Sequence, residues 1–511
     1  MWLVPIDNIG MIKNINCHAG NARNDRRRLI ERGVIMEKQN ICLAAAEAVP
    51  FVKIGGMADV VGSLYKYLRG KQNISLFLPL YKQIRKTCSM DTVAELEVNF
   101  SENRREKGIL AASRDFPGVY FIENQGYFRR AGIYGEDGKG YPDNAERFSF
   151  FSKGILEAVK LLKIDAEIFH CHDWHTALLP LYLNINYRNV FPEAKSLFTI
   201  HNLGYQGVFK IDKFPALGLP WNYFHMEELE FYGNVNLMKA GIIHSDMINT
   251  VSPMYAREIL TPEFGNNLDG LLRKNSARLK GIINGIDYQI WNPSFDRFIH
   301  KKYRSFKTKF ENKLFLQEKL GLQTGREIPV FGMVARLAEQ KGVDELAMIM
   351  SDVLSRNLEV VILGDGDPEY RDILAGWAKK FPRKISVAFG FNDELAHQIY
   401  AGSDFFLMPS KFEPCGLGQL ISFKYGTIPI VRNVGGLADT VSNYVFETGE
   451  GNGFSFEGGS KQFLRSIEAA LKLFSDVKRM EKCVNSIIKL DYSWKSSVNE
   501  YLAIYRQMTE S

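Results

Sequence analysis

The sequence predicts an α/β protein of two Rossmann-like domains, each a parallel sheet with helices on both faces, facing a deep interdomain cleft. Three observations predict it. At 511 residues the chain is too long for one hydrophobic core, so two domains are the natural division. Short apolar runs alternate with helix-spaced segments through both halves, the pattern of parallel strands joined by crossover helices. And Ile54-Gly55-Gly56-Met57-Ala58-Asp59-Val60-Val61 is echoed by Val434-Gly435-Gly436-Leu437-Ala438-Asp439-Thr440-Val441, as expected of two related halves.

The elements follow in order. Ile41–Ala46 reads as a strand, Gly55-Gly56 as a turn and Met57–Leu68 as a helix, with Ile74–Leu80 the next strand. Residues 93–125 alternate more loosely and suggest inserted antiparallel hairpins, followed by a Gly-rich loop at Gly132–Gly140. Asn144–Leu162 is a helix, and Ala166–Cys171 and Ser196–Ile200 are buried strands. In the second half Pro329–Ala335, Val360–Gly364, Ile385–Phe389, Phe405–Pro409 and Ile428–Val431 are strands, and Val343–Ser355 is a helix. The boundaries expected are 36–277 for the first domain and 278–492 for the second. A last helix within 493–511, Trp494–Met508, is expected to pack back on the first domain.

Hydrophobic residues make up 46% and charged residues 24%, an ordinary globular balance. No apolar run reaches 18 residues, so no membrane partner is expected. Six cysteines without pairing rhythm argue against a disulfide framework and fit a reducing cytoplasm. Half of the net charge of +6 sits in residues 1–35, so the remaining body is only mildly basic and no nucleic-acid partner is implied. Residues 1–35 hold Arg26-Arg27-Arg28, no periodicity and no apolar signal core. They are expected to be a disordered or non-native extension, with Met36 the preferred start.

Several residue groups carry chemistry. Lys53 stands beside Gly55-Gly56, where the backbone can approach a ligand closely and the following helix start offers N–H groups to an anion. His170, His172, His175 and Asp173 permit a zinc reading. The competing and preferred reading sets Asp173 and His175 at the carboxyl end of a strand, where such sheets bind ligands. His201 and Asn202 end the next strand before a Gly-rich loop. Arg336 and Lys341 lie five residues apart across a strand-to-helix loop. They are either a solvated pair or a diphosphate clamp that does the work a divalent metal does elsewhere. On the clamp reading, no metal or other cofactor is required. Glu413 follows strand Phe405–Pro409, and Phe391 follows Ile385–Phe389.

The stretch Glu47–Val60, with Lys53-Ile54-Gly55-Gly56-Met57-Ala58-Asp59-Val60 at its core, resembles the opening signature of the glycogen and starch synthases, glycosyltransferase family 5. That signature usually has threonine where Ile54 stands and leucine where Met57 stands, so the threonine hydroxyl is absent here. The resemblance runs in one register through Tyr141-Pro142-Asp143-Asn144, His172-Asp173-Trp174-His175, Thr199–Gly207, Val251–Glu258 and Asn284-Gly285-Ile286-Asp287. It continues through Ala335-Arg336-Leu337, Gln340-Lys341-Gly342, Pro409–Leu417 and Gly435–Val441.

The resemblance implies the GT-B fold and transfer of glucose from ADP-glucose to an α-1,4-glucan such as glycogen. It implies catalytic roles for Glu413, Asp173 and His201, with Asp173 beside the reacting sugar and His201 touching the transferred glucose. Lys53, Gly55, Gly56, His175, Asn202, Arg336 and Lys341 are implied to bind substrate. So are Cys415, Gly416 and Leu417, through backbone N–H groups toward the distal phosphate. Phe391 stands where relatives stack a tyrosine on adenine. Related transferases often carry a second glutamate eight residues after the first; here that position is Ile421. Competing readings are a transferase with another donor such as UDP-glucose, a glucan phosphorylase, and a non-catalytic carbohydrate-binding relative. A phosphorylase would need a lysine signature for pyridoxal phosphate that is not found.

Overall fold

The computed structural model describes residues 38–136 and 138–510. The expectations for residues 1–35 and for Met36 as the start lie outside the described residues.

Two sheets form the two halves. The first has nine strands in the spatial order Leu279–Gly281, Met247–Thr250, Lys195–Ile200, Ile168–His172, Asn40–Ala44, Asn73–Pro79, Val119–Glu123, Arg104–Ser113, Met90–Ser101. The first seven pair in parallel and the last two are an antiparallel hairpin at the edge. The second sheet has six parallel strands, ordered Ile385–Phe389, Glu359–Gly364, Val330–Val334, Phe405–Met408, Ile428–Arg432, Phe454–Phe456.

One expectation changes. Residues 93–125 do form antiparallel hairpins, but Val119–Glu123 also pairs in parallel with Asn73–Pro79, so the hairpins extend the main sheet instead of standing apart from it. Val119, Phe121 and Ile122 are buried, as befits a strand inside the sheet with neighbours on both edges.

Strand order explains where a ligand fits. In the first sheet the chain starts at Asn40–Ala44, winds outward through Asn73–Pro79, then returns to the other flank at Ile168–His172. In the second it starts at Val330–Val334, winds out through Glu359–Gly364, and returns at Phe405–Met408. Each reversal leaves a crevice beyond the carboxyl ends of the strands. The loops entering those crevices are Glu47–Gly56 and Asp173–His175 in the first domain, and Arg336–Lys341 and Ser410–Glu413 in the second.

The last helix, Trp494–Glu510, belongs to the first core. Trp494, Val498, Tyr501, Leu502, Ile504, Tyr505 and Met508 are buried there. Tyr505 OH is 2.8 Å from His170 Nδ1, and Gln39 Nε2 donates to the Tyr505 carbonyl at 3.3 Å. The chain thus crosses between the halves twice, side by side: Ile286 N donates to the Tyr492 carbonyl at 2.8 Å, beside the Ile286–Ser493 bridge.

Candidate active site

Between the halves lies a cavity of about 760 Å³. Lys53, Gly55 and Gly56 line it from the first domain, and Arg336, Lys341, Glu413, Gly416 and Leu417 from the second. Eight of the fourteen residues singled out in the sequence therefore meet here. Ile421 lines the wall as well, leaving an apolar surface where a second carboxylate would stand.

The second domain supplies the charge. Strand Val330–Val334 delivers Arg336, and the single turn Glu339–Lys341 presents Lys341. Gly342 follows at φ +69°, where an added Cβ would sit 2.1 Å from the Pro409 carbonyl oxygen, so only glycine lets the two loops touch. Lys341 Nζ lies 2.5 Å from Glu413 Oε2, and Ser410 Oγ donates to the same oxygen at 3.0 Å. The Glu413 side chain is only 8% exposed, so this carboxylate depends on those two donors. Arg336 is freer. Its Nη2 reaches Tyr205 OH of the first domain at 3.3 Å and Gln340 Oε1 at 3.2 Å.

The first domain's glycine loop is built differently from the expectation. The N–H groups of Ile54 and Gly55 are not open to an outside anion; both donate to Glu47 Oε2, with Gly55 at 3.2 Å. Glu47 ends the apolar run after strand Asn40–Ala44 and is buried, so a carboxylate from the same domain satisfies the turn. Burial pushes the Glu47 carboxyl up to about 7, against the Ile54 and Gly55 amides. Lys53 is half-exposed and pairs with Asp59 at 2.8 Å.

Asp173, His201, Asn202, His175, Cys415 and Phe391 do not line the cavity. Asp173 is buried at φ +54°, and its Oδ1 accepts from His201 N at 2.7 Å. An aspartate in that left-handed region is a point of strain, of a kind concentrated at functional sites. Burial pushes its carboxyl up to about 7, opposed by the His201 and Asn202 amides and reinforced by Glu47. His201 Nε2 lies 3.0 Å from His172 Nδ1, and burial holds the His201 imidazole down to about 3, so it is neutral. Asn202 accepts from Gly204 N at 2.9 Å, closing the turn toward Tyr205. His175 is 6% exposed and packed among Tyr134, Phe148 and Trp174. Cys415 is buried in the first domain's core. Phe391 is 99% exposed beyond its strand.

The histidines do not converge as metal ligands. His170 faces Tyr505 and Thr199, His172 faces His201, and His175 stacks on aromatic rings. Among the described residues no group of three or more His, Cys, Asp or Glu side chains is placed to hold a metal ion.

Sequence reasoning gave no role to Glu47, Ser410 or Tyr205. The first carried a usable signal, a lone acid directly after a buried apolar run and before a double glycine. The other two are neutral hydroxyls in loops, and nothing in their spacing marks them.

Two doubly wound domains that meet over a cation pair, an acid and a glycine loop define a GT-B glycosyltransferase. The pattern "Starch synthase catalytic domain" matches residues 40–274, and "Glycosyl transferases group 1" matches residues 316–487. The chain is 44% identical over 482 residues to a glycogen synthase of Bacillus cereus, covering 92% of this chain and 100% of that one. It is 39% identical to a glycogen synthase of Thermodesulfovibrio yellowstonii, covering 91% and 97%. The catalytic domain of starch synthase IV from Arabidopsis thaliana, solved with ADP and acarbose, superposes with a TM-score of 0.86 at 32% identity, covering 93% of this chain and 100% of that one. A sucrose-phosphate synthase from Thermosynechococcus elongatus shares the fold at a TM-score of 0.59 and 16% identity, with coverage of 92% and 99%. The chain belongs to the glycogen and starch synthase family.

Proposed function

We propose that this protein acts as a glycogen synthase, transferring glucose from ADP-glucose to the non-reducing end of an α-1,4-glucan with retention of configuration and release of ADP. The observation that carries the reading is the Arg336, Lys341, Ser410 and Glu413 cluster facing Lys53 and Gly55-Gly56 across one cavity, in a chain 44% identical to a glycogen synthase.

In this reading Arg336 and Lys341 hold the diphosphate and stabilise it as charge develops on departure. The bond from the glucose anomeric carbon to phosphate breaks, and a bond from that carbon to the acceptor's 4-hydroxyl oxygen forms on the same face. The acceptor proton passes to the departing phosphate oxygen. Glu413 keeps the cation in place and stabilises the positive charge that develops on the sugar. The resemblance assigns sugar-hydroxyl contacts to Asp173 and His201 and an adenine stack to Phe391, although none of the three lines the cavity. The cation pair takes over the diphosphate charge, so we propose no metal requirement. Among the described residues no helix is long and apolar enough to cross a membrane. The free, buried cysteines fit a reducing compartment, and we place the protein in the cytoplasm.

Radiolabelled ADP-glucose and UDP-glucose supplied in parallel to purified protein with glycogen test the reading. Label should enter glycogen from ADP-glucose and be released by an exo-acting α-1,4-glucanase. Faster transfer from UDP-glucose, or label resistant to that digestion, would overturn it.

A further inference from the structure

The turn that carries Glu413 is held from the other domain. Ser252 Oγ, in the first domain, donates to the Pro414 carbonyl at 2.7 Å. Cys415, next along the chain, is buried in the first domain's core. On the far side of the turn, Gly436 N donates to the carbonyls of Glu413 at 3.1 Å and Pro414 at 3.2 Å. Gly435 lies so close that an added Cβ would stand 2.0 Å from the Glu413 carbonyl oxygen. And Gly435 N donates to Glu258 Oε1 of the first domain at 2.8 Å.

We infer that Glu258 is a positioning residue: from the first domain it seats the Gly435-Gly436 turn, and through that turn it sets Glu413, so the acid reaches its working place only when the two domains are together. The inference rests on the reading that Glu413 serves the reacting centre.

The sequence echo gives an independent comparison. In the first half Gly55 N donates to a buried glutamate, Glu47, at 3.2 Å, within one domain. In the second half the matching glycine, Gly435, finds its carboxylate across the domain boundary. The same turn, completed in trans, ties local geometry to closure. Neighbouring contacts hold the join: Met254 N donates to Asp439 Oδ2 at 2.6 Å, and Arg257 lies 3.8 Å from Asp439. Glu258 is 6% exposed and does not line the cavity. Its Oε2 has no hydrogen-bond partner among the described residues.

The test compares Glu258→Ala, Glu258→Asp and Glu258→Gln in the full chain. Each is followed by kcat and KM for ADP-glucose with glycogen, ADP affinity and thermal midpoint. Gln keeps an oxygen at the same reach for Gly435 N; Asp keeps the charge but withdraws the oxygen by a methylene. Ala and Asp should lower kcat by roughly 100-fold, the scale of a small misplacement of a reacting group. ADP affinity should fall by much less than kcat, since Arg336 keeps its own contacts with Tyr205 and Gln340, and Gln should restore kcat to within about threefold. If Ala does not fold, the Asp and Gln pair decides. Wild-type kcat in Asp, a Gln variant as impaired as Asp, or parallel losses of kcat and ADP affinity would each overturn the inference. Wild-type protein that transfers no glucose would instead overturn the functional reading.

Discussion

Replacing Lys341 with Ala removes the ammonium that lies 2.5 Å from Glu413 Oε2 and faces the cavity. The carboxylate then keeps only the Ser410 hydroxyl, at 3.0 Å, in a place where its side chain is 8% exposed. The donor diphosphate loses one charge-assisted hydrogen bond, worth about 1.5–3 kcal/mol. At that size kcat/KM should fall by roughly 10- to 150-fold. The charge on the departing diphosphate grows along the reaction, so more of the loss should appear in kcat than in KM. Initial rates of label transfer to glycogen, measured against ADP-glucose concentration, give both parameters, and calorimetric titration with ADP gives the ground-state share. Unchanged kinetics in a variant whose circular dichroism matches wild type would refute the reasoning. The Lys341–Glu413 pair would then be purely architectural, and the nucleotide would bind elsewhere.

Four further outcomes are expected. Arg336→Ala should resemble Lys341→Ala in steady-state kinetics, and the double variant should lose less than the sum of the two if both cations grip one diphosphate. Glu413→Ala should cut turnover by roughly 100- to 1000-fold while calorimetry still detects ADP binding, the scale for losing an electrostatic group at a reacting centre. Transfer should persist in excess EDTA; loss of activity restored by a single metal would contradict the clamp. Glu47, held up to about 7 by burial, binds its proton preferentially in the folded chain. Its contribution to stability is therefore full below the ordinary carboxylate range and is lost as pH rises through about 7. Glu47→Gln, whose amide oxygen can still accept from Ile54 and Gly55, should flatten that decline in a series of thermal melts across pH.

The two-sheet architecture was legible because its signals are local. Apolar runs such as Ile385–Phe389 and helical spacing such as Val343–Ser355 reappear in the structure with the same bounds. The weakest passage was residues 93–125, where alternation identified strands but not their partners: Val119 takes its parallel neighbour, Leu76, from 43 residues upstream, and pairing across such distances leaves no local trace. Strands Met247–Thr250 and Phe454–Phe456 offer no apolar run to read, since Asn249 and Thr250 make half of the first polar and the second is only three residues long. At the site, charged residues next to glycines could be picked out, and Arg336, Lys341 and Glu413 share a wall. Their partners could not. That Glu47 satisfies the first glycine loop and Glu258 the second follows from how strands and domains close on each other. Spacing within the sequence does not encode it.

The helix Trp494–Glu510 has a consequence for how the molecule comes into being. Synthesis delivers the strands of the first sheet early, but Tyr501 and Tyr505, which fill its interior and meet Asn249 and His170, arrive only after the second sheet has been made. While translation continues, the first half keeps an apolar furrow open where that helix will lie. The first core can therefore be completed only once the second half has left the ribosome. A chain cut just before Trp494 would keep every strand of both sheets and still expose a seam along its first half, a target for chaperones and proteases.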